Sequence, residues 1–153
     1  MKSIDKSSLR QQLLPIVNNF VEQYKANLTK ADARASGKLI DSIKGSINYD
    51  GKYVTVDISL QDYWKYVEYG RRPGKFPPVD KIREWIKVKP VLPRPMANGK
   101  LPTENQLAFL ISHSIAEKGI KPRPILKETL NAFQLEQRIY NQIINMLQET
   151  INE

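Results

Sequence analysis

The sequence predicts an α+β fold: a small antiparallel β-sheet built on a hairpin and packed by amphipathic helices, with long N- and C-terminal helices. Between residues 53 and 60, apolar and polar residues alternate, which places the apolar side chains on one face of a strand. Toward both termini, apolar residues instead recur every three or four positions, the period of an amphipathic helix. Helices therefore bracket the predicted hairpin.

The N-terminal helix is predicted over much of residues 6–30. Its apolar positions are Leu9, Leu13, Ile16, Val17, Phe20, Val21, Tyr24 and Leu28. Pro15 has no amide hydrogen and its ring crowds the preceding turn, so we expect it to kink or restart this helix. One or two helical turns over residues 38–43 then lead into the sheet.

The hairpin can be predicted in register from its turn. Asp50 and Gly51 form a pair that two-residue hairpin turns favour, because both central residues of such a turn need a positive φ. Continuing the ladder from this turn pairs Ile47 with Val54. One apolar face then holds Ile47, Tyr49, Val54, Val56, Ile58 and Leu60.

Two helices and an extended loop are predicted in the second half of the chain. A helix from Val79 to about Val88 follows Pro77 and Pro78, and a proline-rich loop over residues 89–102 comes after it. Thr103 supplies capping chemistry for the next helix, which runs through about Glu117 and ends at Gly119. Its inward residues are predicted to be Leu107, Leu110, Ile111 and Ile115.

A single long helix is predicted from Ile125 to the C-terminus. Its apolar residues repeat at spacings of three and four. They are Leu126, Leu130, Phe133, Ile139, Ile143, Leu147 and Ile151.

Length and composition predict one domain over residues 1–153. A chain of 153 residues buries roughly two-thirds of the surface that its unfolded form exposes, so one core suffices. The absence of cysteine excludes disulfides, thiolate metal sites and cysteine nucleophiles. No segment approaches the ~20 apolar residues of a membrane span, and the polar first ten residues do not resemble a signal peptide. We expect a soluble protein made in a cytoplasm, without membrane contact.

The formal charge of +8 is concentrated in one segment. Residues 71–100 hold nine basic and two acidic residues, a formal +7, whereas the rest of the chain holds fifteen basic and fourteen acidic residues. The electrostatic field of such a segment favours binding to phosphate groups or to an acidic protein surface, and dissolved salt weakens that attraction. The other interpretation is that the basic residues only make the protein soluble and are clustered in this segment by chance.

An aromatic run precedes this basic segment. Tyr63, Trp64, Tyr66 and Tyr69 lie within seven residues and lead into a turn rich in glycine, proline and arginine. These aromatics either cap the core or belong to an interface, where Tyr, Trp and Arg dominate the energetics. A docking surface is the prediction that also accounts for the adjoining basic turn. The candidate interface residues are Trp64, Tyr66, Glu68, Tyr69, Gly70, Arg71, Arg72, Lys75, Phe76, Arg94 and Arg123.

Catalytic and metal-binding patterns have little support. His113 is the only histidine, falls inside a predicted helix without a nucleophile motif nearby, and is interpreted as structural. A nuclease-like site of acids and a lysine is an alternative, although acids on a wet strand face are usually only solvated. Its residues would be Asp57, Asp62 and Glu68 with Lys65 or Lys75. We expect no catalytic residues, no metal ligands and no cofactor.

The order of short motifs carries a resemblance. The motifs are residues 35–43 (ASGKLIDSI), a hairpin, residues 66–70 (YVEYG), residues 77–78 before the Trp85 helix, residues 108–119, and residues 121–126 (KPRPIL). Over residues 35–133 this series resembles the head-tail joining, or tail-completion, proteins of tailed bacteriophages. The chain differs in having Ile125 where those proteins commonly have an aromatic residue, and in its N-terminal helix.

The resemblance implies a non-enzymatic virion protein of the phage neck. It implies a homo-oligomeric ring, a hexamer or dodecamer, that joins the portal or connector to the tail and helps to complete or seal the DNA channel, with possible contact to packaged DNA. Such a protein assembles in the bacterial host cytoplasm and ends in the virion. Residues 1–34 would be a helical extension, residues 35–133 the joining core, in which residues 66–70 belong to the fold segment, and residues 134–153 the C-terminal helix.

A nucleic-acid-binding protein is the alternative. The basic residues 71–100 would then contact phosphates, and Tyr63, Trp64 and Tyr66 would stack on bases.

Overall fold

The computed structural model describes residues 4–31, 36–62, 64–88 and 91–152. It confirms the α+β class: the chain is 62% helical, and the described residues form a two-stranded antiparallel sheet between long N- and C-terminal helices. The elements are α1 (Lys6–Lys30), α2 (Ser36–Ser42), β1 (Lys44–Tyr49), β2 (Val54–Ser59), α3 (Trp64–Tyr69), α4 (Val79–Val88), α5 (Glu104–Lys118), α6 (Ile125–Phe133) and α7 (Leu135–Asn152). Ala35, Tyr63, Lys89 and Pro90, which the predictions above include, lie outside the described residues.

The chain divides into two compact units. Unit 1 comprises Met1–Ala31, Ser42–Leu60 and Ile125–Glu153, and so contains α1, the hairpin, α6 and α7. Unit 2 comprises Asp32–Asp41 and Gln61–Pro124, and so contains α3, α4 and α5. The predicted boundaries after residues 34 and 133 stay predictions.

Helix α1 is the centre of unit 1. Its buried face consists of Leu9, Leu13, Val17, Phe20, Val21, Tyr24 and Leu28. The helix begins after Asp5, whose carboxylate accepts a hydrogen bond from the backbone nitrogen of Ser8 at 2.8 Å. It runs without interruption through Pro15, so the expected restart is wrong. Pro15 and Gln11 are both exposed, and water can therefore satisfy the Gln11 carbonyl that the proline leaves without an amide partner.

The hairpin has the predicted faces in a different register. Ile47 pairs with Val56 and Tyr49 with Val54, so the turn takes four residues and the prediction that Ile47 pairs with Val54 is wrong. A shift of two residues keeps every side chain on its face, so the alternation is as predicted. The Asp50 side chain explains the longer turn, because its Oδ1 accepts hydrogen bonds from the backbone nitrogens of Tyr53 at 2.7 Å and Lys52 at 2.8 Å.

These bonds also act on the Asp50 carboxyl. The hydrogen bonds from the Tyr53 amide, and then from the Lys52 amide, favour its ionised form and lower its pKa below the ordinary 3.8.

Strand β1 approaches α1 closely at Gly45. A Cβ added to Gly45 would overlap a methyl of Val17 and lie 3.2 Å from a methyl of Val21. Glycine therefore permits the contact between the strand and the helix.

The predicted single C-terminal helix is instead two helices that both pack on α1. Gln134 has a positive φ of 54°, which ends α6 and redirects the chain into α7. The buried residues are therefore Ile125, Thr129, Leu135, Ile139 and Met146. Leu130, Leu147 and Ile151, which belong to the predicted apolar repeat, are exposed.

Unit 2 confirms the predicted α4 and α5. Thr103 forms the capping box of α5, in which its side chain accepts from the Gln106 backbone and the Gln106 side chain accepts from the Thr103 backbone. Gly119 caps the other end with a φ of 72°. Ala108 and Ser112 are the buried residues of α5, and the prediction that Leu110 faces inward is wrong, since it is exposed. Residues 64–69 of the aromatic run form the short helix α3, an element that was not predicted from the sequence.

Candidate docking surface

The candidate surface is the elbow, which we define as residues 64–76. It consists of α3 and the loop that leaves it. Tyr66 and Phe76 are about half-exposed and Tyr69 is 71% exposed, whereas Trp64 is partly buried with its ring centre 5.8 Å from that of Tyr69. The structure therefore places most of the aromatic side chains of the elbow at the surface of unit 2.

The loop of the elbow is fixed to the far end of α5 by backbone hydrogen bonds. The backbone nitrogen of Arg71 donates to the Ile120 carbonyl at 2.9 Å, and the nitrogen of Ile120 donates to the Arg71 carbonyl at 2.8 Å. On either side, Gly74 donates to the Ala116 carbonyl at 2.8 Å, and Arg123 donates to the Val67 carbonyl at 2.7 Å.

Two glycines make this crossing possible. Gly70 and Gly119 both have positive φ angles, 69° and 72°, a region that side chains with a Cβ rarely occupy. A Cβ on Gly70 would overlap the Ile120 carbonyl oxygen and lie 2.7 Å from the Pro122 nitrogen. A Cβ on Gly119 would overlap the Arg71 carbonyl oxygen. The two chain segments are thus in direct backbone contact.

The Arg71 side chain also holds the loop of the elbow in place. Its Nη2 donates to the Lys75 carbonyl at 3.0 Å, and the guanidinium lies 5.6 Å from the centre of the Tyr66 ring, within the range of a cation–π interaction. The loop is therefore held by its own arginine as well as by α5.

An aromatic cluster formed by Phe76, Phe109 and His113 continues the surface along α5. Phe76 stacks on Phe109 with 6.3 Å between ring centres, and its ring meets the edge of His113 at 5.6 Å. Phe109 is 52% exposed and His113 is also exposed, so the cluster faces solvent. The sequence prediction missed Phe109 and His113, although Phe109 falls outside the inward stripe of its helix, which is a usable signal.

Positive charge accompanies these rings. Unit 2 contains fifteen basic and eight acidic residues, a formal +7, whereas unit 1 contains nine and eight, a formal +1. Arg72 and Lys75 are exposed in the loop. The bonds to α5 also bring the segment holding Lys121 and Arg123 beside the elbow. The charged window chosen from sequence, residues 71–100, therefore omitted part of the basic surface.

The structure does not bring every predicted residue to this surface. Glu68 is buried, and Gly70 allows the close backbone contact with Ile120 instead of contributing a side chain to the surface. Arg94 is exposed in the extended segment after α4, and no contact described for the elbow involves it.

The acids of the nuclease-like alternative belong to different units. Asp57 is exposed on β2 in unit 1, while Asp62 and the buried Glu68 belong to unit 2. Among the described residues, no group of three or more His, Cys, Asp and Glu side chains is arranged to hold a metal ion.

Comparison of the chain with protein-family models, with curated proteins and with solved structures finds no match. None of the helices that the structure describes combines the length and apolar character that crossing a membrane requires.

Proposed function

We propose that the chain is a non-enzymatic structural subunit of a tailed bacteriophage, one of the identical copies of a neck ring that joins the portal or connector to the tail. The observation that carries the proposal is the elbow, an exposed aromatic and basic surface on a fixed backbone. Aromatic side chains beside arginine are typical of the centres of protein interfaces. The motif series that resembles head-tail joining proteins supports the virion setting and assembly in the host cytoplasm.

The elbow fits an acidic protein surface as its partner. It lies in the unit of formal charge +7, and Arg72 and Lys75 are exposed beside its rings. Opposite charge on the partner would speed the encounter and exclude basic competitors, while the rings supply the buried contact. Within a neck, that partner is a chain of the connector or the tail.

The proposed role is tested with purified phage particles. We expect mass spectrometry of purified particles to find the chain, and antibody labelling to locate it between head and tail. The double variant Arg72→Glu/Lys75→Glu reverses two exposed charges of the elbow. Producing cells that carry it should accumulate filled heads and free tails, since a repulsive contact weakens docking by at least about tenfold, roughly 1.4 kcal/mol.

The matched control is Lys6→Glu/Arg10→Glu. These two residues are exposed at the start of α1 in unit 1, and their reversal makes the same change in net charge. The control should still yield joined particles. Absence of the chain from particles would overturn the virion role, and equal joining by both double variants would overturn the role of the elbow.

Nucleic-acid binding is a second candidate, favoured by the exposed Tyr66 ring beside the basic loop. Exposed rings can stack on bases while the cations contact phosphates. A titration of the purified chain with single- and double-stranded DNA at several salt concentrations tests it. A binder gives log K falling against log salt with a slope of roughly −0.9 for each duplex phosphate contacted. No binding at low salt excludes this candidate.

A further inference from the structure

Helix α7 carries an exposed apolar stripe in addition to the face that it buries. We define the α7 seam as Tyr140, Ile144, Leu147 and Ile151, which follow one another at spacings of four, three and four. Tyr140 is 59% exposed, Leu147 41% and Ile151 69%, and Ile144 is partly exposed. Alternating steps of three and four are the pattern of the seam between paired helices.

The seam lies beside the face that packs on α1. At about 100° per residue, its centre is roughly 120° around the helix from the buried Ile139 and Met146. Ile143 lies between the two faces, so the apolar surface of α7 extends roughly 180° around it. A helix with one core-facing side needs an apolar stripe of only about 100°. The seam is the part that unit 1 leaves uncovered.

The residues that flank the seam favour pairing with an identical seam. Asn141 and Gln148 flank one side, and Thr150 flanks the other. Their amide and hydroxyl groups both donate and accept hydrogen bonds, so each is complementary to its own copy. From residue 139 to residue 148 the helix carries no charged residue. Two identical seams can therefore approach without the repulsion that like charges would cause.

The distribution of charge over the chain points to the same partner. Unit 1, which contains the seam, has a formal charge of +1, whereas unit 2 has +7. Repulsion between two copies of the chain is therefore weaker when they meet through the seam than when they meet through unit 2. The seam also lacks the lysines and arginines of helices that lie on membrane surfaces.

We infer that α7 is a self-association surface, on which a second copy of this chain packs its own α7 seam. The twelve residues from 140 to 151 span about 18 Å of helix, so the contact is short and the dimer depends on concentration. This pairing goes beyond the proposed function and does not rest on it, because it uses a different surface in a different unit.

Sedimentation of the purified chain over a range of concentrations tests the pairing. The mass should rise from monomer toward dimer as the concentration increases. Ile151→Lys places a charge in the seam and should shift the midpoint of that rise at least about tenfold upward. Tyr53→Lys is the control, because it removes another exposed aromatic of unit 1, 60% exposed at the hairpin turn, and should leave the midpoint unchanged. Unchanged circular dichroism of both variants verifies folding.

Cross-linking gives a second measurement that uses the absence of cysteine from the chain. Leu147 is near the middle of the seam, so in parallel or antiparallel pairs the two copies of Leu147→Cys lie close together. A short bis-maleimide should then produce a covalent dimer. Asn145→Cys, exposed at nearly the same height on the far side of α7, should not.

Each outcome decides the inference. A chain that stays monomeric at every concentration, or equal cross-linking by the two cysteine variants, overturns it, and a different partner then covers the seam. Arg72→Glu/Lys75→Glu should leave the dimer intact. Loss of dimer with Ile151→Lys and loss of particle joining with the elbow variant are therefore separate results, and either can fail alone.

Discussion

Ser112 and Thr129 are both fully buried in helices, but only one of their hydroxyl groups has hydrogen-bond partners. Thr129 Oγ1 donates to the Ile125 carbonyl at 2.7 Å and accepts from the Asn27 side-chain amide at 2.8 Å. Ser112 Oγ has no partner among the described residues. A buried polar atom without a hydrogen-bond partner has lost its bonds to water without replacement, which destabilises the folded state. Removal of the hydroxyl should therefore lower the free energy of unfolding at Thr129 and should not lower it at Ser112.

Replacement of each hydroxyl provides a matched pair of variants. Thr129→Val keeps the shape of the side chain and leaves the Asn27 amide without its acceptor, so the free energy of unfolding should fall by about 1–2 kcal/mol. Ser112→Ala should leave it unchanged or raise it by up to about 1 kcal/mol. Urea denaturation measures both. A loss of more than about 1 kcal/mol in Ser112→Ala would mean that its hydroxyl does bond in the folded protein.

At this scale the sequence predicts some roles and misses others. Thr103 and Gly119 were predicted as the ends of α5, because capping chemistry is local. The pair Asp50 and Gly51 indicated a turn, but not that the Asp50 side chain would bind two amides and lengthen it. That outcome depends on a competition between side-chain and backbone acceptors that the residue types alone do not decide.

At the scale of the element, the break between α6 and α7 is the clearest departure from the sequence prediction. No glycine or proline marks it, although the three-and-four repeat skips a step there, since Phe133 and Ile139 lie six residues apart. The break is stabilised by Arg138, whose Nε donates to the Phe133 carbonyl at 2.7 Å and whose guanidinium lies 4.4 Å from the Phe133 ring centre. Packing of both helices on α1 supplies the rest, and such tertiary contacts are invisible to periodicity.

Substitutions at Gln134 test the strain at this break. A β-branched side chain is strongly disfavoured at positive φ, so Gln134→Ile should lower the free energy of unfolding by about 1–2 kcal/mol. Gln134→Asn, which tolerates the same backbone, should change it by less than about 0.5 kcal/mol. Thermal and urea unfolding compare the two. Equal stability of the variants would indicate a continuous helix across residue 134.

The elbow shows a second limit of prediction for an element. Its residues were singled out from sequence because of their type, and Tyr66, Tyr69 and Phe76 are exposed, as an interface would require. The sequence did not indicate that Tyr66 and Tyr69 lie on a short helix, or that α5 adds Phe109 and His113 beside Phe76. Those contacts join residues that are far apart in the chain, and no local pattern encodes them.

At the scale of the whole molecule, net charge is divided unequally between two units of similar length. Unit 2 has a formal charge of +7 and unit 1 of +1. Mutual repulsion among like charges destabilises a compact state, and dissolved salt screens it. The sequence window of residues 71–100 has the same formal charge as unit 2. The division of the chain into units shows, in addition, that this charge belongs to one compact unit.

Salt should therefore raise the thermal stability of the protein, because it screens the repulsion among the like charges of unit 2. Moving from low ionic strength to about 0.3 M sodium chloride should raise the unfolding midpoint by roughly 2–4 °C, equivalent to about 1 kcal/mol. The variant Arg72→Gln/Lys75→Gln/Lys121→Gln should show a smaller rise than Lys6→Gln/Arg10→Gln/Lys52→Gln, which removes the same charge from unit 1. Circular dichroism melts measure the difference. Identical salt responses would mean that repulsion within unit 2 is negligible.

The paired backbone bonds between Arg71 and Ile120 also close a loop of chain that begins and ends at one point. The non-helical residues 91–103, which lie between α4 and α5, can change length without moving either anchor. The entropy of closing such a loop grows slowly, by only ~0.6 kcal/mol for each doubling of its length. Insertions near residue 98 are therefore expected to be cheap, and that site is suited to carrying a peptide tag or a small fused module.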